Sequence, residues 1–181
     1  MTTTLADGGA GDLPEWYRPP QMIGGHAAGT ALFGRTDRCV VAVRQVLAYP
    51  VGIEVVVEAH TRGFAPEETT DFPSPPWLAQ PRFRIRFADG RESGQGEEAG
   101  LRTGLGPMLS PVGSEHSSGG PDNGEDIRLS LWIWPLPPAG PVTLTCRWPE
   151  RGLPEAEIVL DGAAIRAAAD LAEPFWLESG S

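Results

Sequence analysis

The residues with the greatest potential for catalysis are three histidines, His26, His60 and His116. They lie far apart along the chain, and none has a second ligand at the spacing of a metal-binding pair. A nucleophile, a histidine and a carboxylate can still be brought together from distant positions, so an enzyme that uses His26 or His60 with a nearby acid stays open. The sequence favours a surface position for each histidine, and it predicts no metal and no cofactor.

Two tryptophans are the strongest candidates for a binding surface. Trp132 and Trp134 alternate with a run of apolar residues, so both indoles are expected on the outer side of a strand. Adjacent exposed aromatics suit a protein interface or the stacking of a sugar. The favoured interpretation is nevertheless that the protein's own C-terminal helix, or Phe175 and Trp176, covers them, because an amphipathic Ala-rich helix needs an apolar surface to lie on.

A second candidate is a row of three arginines, Arg82, Arg84 and Arg86, which occupy alternate positions. On a strand their side chains share one face and stand about 6.6–7 Å apart. Such a row can recognise an anionic ligand or an acidic partner. Pairing with Glu54 and Glu58 on a neighbouring strand is the favoured interpretation, since outer sheet faces commonly carry such pairs.

The two cysteines, Cys39 and Cys146, both occur at positions that we expect to face the core. Free cysteine behaves as a small hydrophobic residue, and inert buried thiols are the favoured interpretation. A disulfide across the fold and a redox or metal role remain as alternatives.

Short strands must position these residues. Two runs with a period of two, from Cys39 to Leu47 and from Ile53 to Ala59, flank the turn Tyr49-Pro50-Val51-Gly52 and predict a β-hairpin. Further runs of this kind occur at 83–87, 127–133, 142–148 and 156–160. Asp161 is a candidate N-cap for an Ala-rich helix over residues 162–172.

Strands do not alternate with helices here, so the sequence predicts a mostly β fold. The expected architecture is a two-sheet antiparallel β-sandwich, immunoglobulin-like or jelly-roll-like, with one short C-terminal α-helix.

The expected domain organisation is simple. Residues 1–15 form a disordered N-terminal tail, residues 16–176 a single domain, and residues 177–181 a C-terminal tail. Residues 92–124 contain nine glycines and few apolar side chains. We therefore expect a flexible, Gly-rich acidic insertion there, because such a segment buries too little apolar area to offset its ordering entropy.

The charge balance excludes some partners. All 14 basic residues are arginine, against 24 acidic residues, and the net charge is −10. A nucleic-acid-binding protein needs a basic face, and anionic lipid also attracts basic segments, so neither partner is expected. The N-terminus has no secretory signal, and no apolar run is long enough to cross a membrane, so the expected location is the cytoplasm.

Several segments resemble a group of short bacterial β-sandwich proteins of unassigned activity. The resemblance rests on Val40 through Tyr49-Pro50-Val51-Gly52-Ile53, on Trp134-Pro135-Leu136-Pro137-Pro138, and on Trp148-Pro149 through to the Ala-rich helix. It covers residues 35–60 and 127–176 and implies a fold but no activity. The sequence thus favours a non-enzymatic protein-binding or assembly module, whose partner is another protein and whose oligomeric state stays open. A carbohydrate-binding module that uses Trp132 and Trp134, or an enzyme of unrecognised type, is the alternative.

Overall fold

The computed structural model describes residues 14–63, 80–97, 106–119 and 124–176. Within these ranges the chain forms twelve β-strands, one α-helix and a 3-10 turn at Pro149–Arg151. The elements in chain order are β1 (Met22–Ile23), β2 (Gly25–Ala28), β3 (Ala31–Arg35), β4 (Cys39–Tyr49), β5 (Gly52–Thr61), β6 (Arg82–Arg86), β7 (Glu92–Gly94), β8 (Met108–Gly119), β9 (Gly124–Trp134), β10 (Pro141–Trp148), β11 (Leu153–Asp161), α1 (Gly162–Ala169) and β12 (Glu173–Pro174).

The strands form two main sheets and one small ribbon. The six-stranded sheet has the order β2-β4-β5-β9-β8, and β3 pairs with β4 as a sixth strand. The four-stranded sheet has the order β11-β10-β6-β7, and β1 pairs with β12 as a separate ribbon. Every strand pair in the described ranges is antiparallel. The predicted mostly β fold with antiparallel sheets and one short helix is confirmed.

The predicted hairpin is β4 and β5, with one change of face. The pairing register shifts between Val43 and Gln45, so the buried side chains change from Val41 and Val43 to Val46 and Ala48. An extra residue in one strand reverses which side chains face inward beyond it. Leu47, which the alternation placed in the core, is therefore only partly buried.

One hydrophobic cluster draws side chains from both sheets. Its members include the predicted inward faces of β5, β6, β9 and β10, all of them almost inaccessible to solvent: Val55, Val57, Phe83, Ile85, Leu129, Leu131, Leu144 and Cys146. Burial of this apolar surface is the main favourable term in folding. The alternation of apolar and polar residues predicted these faces correctly.

Helix α1 begins where the sequence predicts and ends earlier. The Asp161 carboxylate accepts a hydrogen bond from the backbone N–H of Ala163 at 2.8 Å, as an N-cap should. The helix buries Ile165 and Ala168 against β2 and β4. A Cβ at Gly25 would collide with the backbone carbonyl of Ala168, so β2 and α1 approach closely there. The helix therefore does not lie over β9, where the sequence suggested that it covers Trp132 and Trp134.

The described part of residues 92–124 forms two strands, β7 and β8, although its Gly-rich composition is that of a loop. β7 pairs with β6, and β8 pairs along β9 from Met108 opposite Trp134 to Gly119 opposite Gly124. Edge strands can be polar because backbone pairing on one side holds them, and here Met108 and Leu109 add buried apolar surface. Residues 98–105 and 120–123, like 1–13 and 177–181, lie outside the described ranges. Among the described helical residues, no segment is long and apolar enough to span a membrane.

Candidate functional site

The face of the six-stranded sheet that points away from the core, here called the outer face, is built from cross-strand rows. The register places Glu54, Trp132 and Ser110 in one row on β5, β9 and β8. A second row consists of Glu58, Arg128 and Glu115, and a third of His60, Asp126 and Ser117. The outer face thus has an aromatic half and a charged half.

In the aromatic half Trp132 is fully buried, although it lies on the predicted side of the strand. Its indole N–H donates a hydrogen bond to the Glu15 carbonyl oxygen at 3.0 Å. The Tyr49 ring packs edge-on against it, with centroids 5.7 Å apart. Trp132 is therefore covered, as the favoured interpretation expected, and Trp134 is half-buried. The cover comes from Tyr49 and the segment around Glu15, which no local sequence pattern indicates.

Tyr49 also connects this half to the polar surface. Its hydroxyl donates a hydrogen bond to the Glu54 carboxylate at 3.2 Å. Burial raises the pKa of Tyr49 to about 12, and the negative charge of Glu54 acts in the same direction. The phenol therefore stays protonated at neutral pH and serves as a structural donor.

The charged half forms a cleft of about 450 Å³, here called the charged cleft, lined by Glu58, His60, Glu115, His116, Ser117, Asp126, Ile127 and Arg128. Glu58 is its centre: its carboxylate lies 2.8 Å from the Arg128 guanidinium and 3.2 Å from Arg44 Nε. The hydrogen bond from Arg128 lowers the pKa of Glu58, and the positive charge of Arg44 adds to this effect. An ion-pair network along this cleft therefore joins β4, β5, β9 and β8.

His60 does not form a catalytic triad with Ser117, the serine of this cleft. His60 Nδ1 lies 2.6 Å from an Asp126 carboxylate oxygen, and its Nε2 lies 3.7 Å from Glu58. In the row across the strands Asp126 stands between His60 and Ser117. A Ser–His–Asp triad needs the histidine in the middle, where it can take the proton of the serine. The order of residues thus does not support activation of Ser117 by His60.

Of the other two histidines, His116 also lines the charged cleft, whereas His26 lies outside it. His26 is exposed on β2, and the Nε2 atom of His116 lies 3.0 Å from the Gln80 side chain. The described residues contain no group of three or more His, Cys, Asp or Glu side chains that could hold a metal ion.

The arginine row lies on the outer side of the other sheet. Arg82 pairs with Glu150 at 3.0 Å, and Arg84 lies 3.5 Å from both Glu92 and Glu97. Arg86 is exposed on the same face. Pairing with carboxylates was the favoured interpretation, and among the described residues it occurs at Arg82 and Arg84. The expected partners were wrong, because Glu54 and Glu58 belong to the six-stranded sheet.

Both cysteines are buried and neither is in a disulfide, which agrees with the favoured interpretation of Cys39 and Cys146 as free thiols. Burial raises the pKa of the Cys146 thiol to about 12. Only the thiolate is nucleophilic, so Cys146 is unreactive at neutral pH.

A second cleft, also of about 450 Å³, lies beside the start of β8 and is here called the aromatic cleft. The rings of Trp16 and Tyr17 form part of its wall and pack edge-to-face, with centroids 6.1 Å apart. Met108 lies on the β8 side, and Arg18 and Glu97 provide polar groups at the wall. An aromatic wall with a few polar groups is typical of small-ligand sites.

The ribbon of β1 and β12 carries a surface that the sequence analysis missed. Four large apolar side chains in and beside it are more than half exposed: Ile23 (58%), Leu171 (71%), Phe175 (52%) and Trp176 (78%). We call this set the ribbon patch. Ile23 pairs with Glu173, and the Phe175 backbone N–H donates to the Gln21 carbonyl at 3.4 Å. Ile23 and Phe175 therefore share one face of the ribbon as diagonal neighbours.

The expectation that Phe175 and Trp176 cover the outer face is wrong. They follow α1, which packs on β2 and β4, and the ribbon then holds them beside β1. The signal that could have indicated this surface is the concentration of Leu171, Phe175 and Trp176 within six residues that also contain the helix-stopping Pro174.

Comparison with known proteins gives no match: no family model, no curated protein and no solved structure resembles the chain at a significant level.

Proposed function

We propose that this chain is a non-enzymatic protein-binding module, built on a two-sheet β-sandwich, that holds its partner through the ribbon patch. The observation that carries this proposal is the exposure of four large apolar side chains in and beside one short ribbon. Apolar residues scattered singly over a surface are ordinary, whereas several that cluster in one short segment and its paired strand are typical of an interaction site. Tryptophan is also among the residues that contribute most at protein interfaces.

The proposed sandwich is a rigid scaffold that holds the ribbon patch in place. One hydrophobic cluster contains side chains of both main sheets, which supports face-to-face packing. β3 lies near β11 and β7 lies near β8, so the sheets approach each other at both ends of their strand orders. The ribbon follows α1, whose Ile165 and Ala168 are anchored in the core. A partner would thus meet a surface that is held in place before binding.

The energetics favour a partner over solvent. Burial of one large apolar side chain contributes about 1.5–3 kcal/mol relative to its exposure. Phe175 and Trp176 together are therefore sufficient to contribute several kcal/mol to a complex, even though association also costs translational and rotational freedom.

A double substitution, Phe175→Ala with Trp176→Ala, tests the proposal. Both side chains are exposed in the free protein, so the melting temperature should stay within about 3 °C of the wild-type value. Retention of the native partner on an affinity column should fall by at least tenfold, because interface anchors contribute about 2 kcal/mol or more each.

Val159→Ala is the matched control for this experiment. Val159 is 66% exposed, and it lies opposite Thr143 on the outer side of the four-stranded sheet. The control should retain the partner as the wild type does. Equal retention by the double variant, or no specific retention by the wild type, would show that the ribbon patch is not the binding surface.

Carbohydrate binding is the second candidate, and the aromatic cleft is the observation that favours it. The buried Trp132 cannot stack on a sugar, but Tyr17 is 53% exposed beside Trp16. Arg18 and Glu97 offer hydrogen-bonding groups beside these rings. Titration of soluble oligosaccharides should then change the tryptophan fluorescence of the wild type and not that of Tyr17→Ala. An unchanged wild-type spectrum with glucan, xylan and chitin oligomers would remove this candidate.

A further inference from the structure

We infer that the ribbon patch selects a basic partner, a protein segment whose apolar anchors are flanked by lysine or arginine. This inference rests on the proposed function and adds the chemical character of the partner. It follows from the charges that border the patch.

The two chain segments that carry the ribbon patch contain acidic and no basic side chains. Among residues 21–23 and 170–176 the only charged side chains are Asp170 and Glu173, and both are exposed. Glu173 lies directly opposite Ile23, on the same face of the ribbon as Phe175. A partner that covers this face must therefore meet a carboxylate beside the two apolar side chains.

The helix adds to this negative potential. Asp170 is the C-cap of α1, so its carboxylate stands at the end where the helix dipole is already negative. An acid at this position destabilises its own helix, whereas a cation there would be favourable. Neither Asp170 nor Glu173 forms an ion pair with another described residue. Their charges are thus available to a cation from outside.

These negative charges disfavour binding of a second copy of the chain to the ribbon patch. A twofold interface places the same patch on both sides, so Asp170 and Glu173 of one copy would approach those of the other. Each chain also carries a net charge of −10. Like charges across an interface cost binding energy, and opposite charges steer association. An anionic membrane is disfavoured for the same reason.

The experiment places a photocrosslinking benzophenone amino acid at position 175 of the full-length chain, and the same amino acid at position 159 as the control. After irradiation in an extract of the native cell at low salt, mass spectrometry identifies the crosslinked peptides. We expect adducts at position 175, well above the control, in peptides with a net positive charge within about ten residues of the crosslink.

A charge reversal then tests the role of the acids. Asp170→Lys with Glu173→Lys should lower the yield of this adduct by about tenfold at low salt, and the difference should shrink in 1 M salt, where charges are screened. Neither substitution removes buried surface, so the fold should be retained. The neutral pair Asp170→Asn with Glu173→Gln should give an intermediate yield.

The outcomes separate the two proposals. Adducts with a second copy, with lipid, or with an acidic or neutral segment would overturn the basic partner and leave the ribbon patch as a binding surface. An unchanged yield in the charge-reversed variant would do the same. No adduct above the control at position 159 would overturn the proposed function itself.

Discussion

Replacement of Trp132 is the substitution that best separates a structural aromatic from a binding aromatic. The side chain is fully buried, its indole N–H bonds to the Glu15 carbonyl, and its ring contacts Tyr49. Trp132→Ala removes all three contributions and leaves a large cavity. Substitutions of buried tryptophan by alanine cost about 3–5 kcal/mol in free energy of unfolding.

Urea unfolding monitored by circular dichroism is the assay. With a slope of about 2 kcal/mol per molar urea, this loss lowers the midpoint by roughly 1.5–2.5 M. Trp132→Phe keeps most of the packing and loses the hydrogen bond, so its cost should be about 1–2 kcal/mol. Trp134→Ala is the neighbouring control on the same strand; because Trp134 is only half-buried, we expect a loss of about 1 kcal/mol.

The reasoning would be refuted by a Trp132→Ala protein that unfolds within about 0.5 M urea of the wild type. That result would mean that the indole is not part of the folded structure's packing. If such a stable variant also lost partner binding, Trp132 would be an interface residue and not a core residue.

Three further predictions concern other parts of the molecule. Arg128 lowers the pKa of Glu58 in the folded protein, so the stability that this carboxylate contributes is present above the unfolded pKa near 4.5 and is lost as the pH falls through the lower folded pKa. Glu58→Gln should therefore flatten the slope of the unfolding free energy against pH in this range. An unchanged slope would contradict the pairing of Glu58 with Arg128. Gly25→Ala should lower the free energy of unfolding by about 1–3 kcal/mol, because the new methyl group would collide with the backbone carbonyl of Ala168. A melting temperature equal to that of the wild type would contradict this close packing of β2 on α1. Cys146 should not react with a disulfide-exchange reagent at pH 8 until the protein unfolds, because burial keeps its thiol protonated; rapid labelling of the native protein would show that the strand is accessible.

The core could be predicted because a single local rule determines it. Alternation with a period of two placed Val57, Phe83, Leu129 and Leu144 inward, and all are buried. The same rule failed after Val43, because a register shift adds one residue and reverses the faces beyond it. No residue type at that point distinguishes a bulge from a regular strand.

The candidate sites depended on long-range contacts and were harder to predict. Trp132 and Glu15 are 117 residues apart, and no pattern in either segment indicates the other. β8 has the composition of a loop, but backbone hydrogen bonds to β9 hold it as a strand. Composition alone does not predict such pairing between distant segments. The ribbon patch arises because α1 ends at Ala169 and β12 then joins β1, an arrangement set by the whole fold.

The central claim is that the ribbon patch is exposed in the free protein and covered in the complex. Hydroxyl-radical footprinting of the full-length chain, alone and with its captured partner, measures this exposure at single side chains. The account predicts strong oxidation of Trp176 and Phe175 in the free protein and at least fivefold protection in the complex, with Val159 unchanged. Equal oxidation of Trp176 with and without the partner would contradict it.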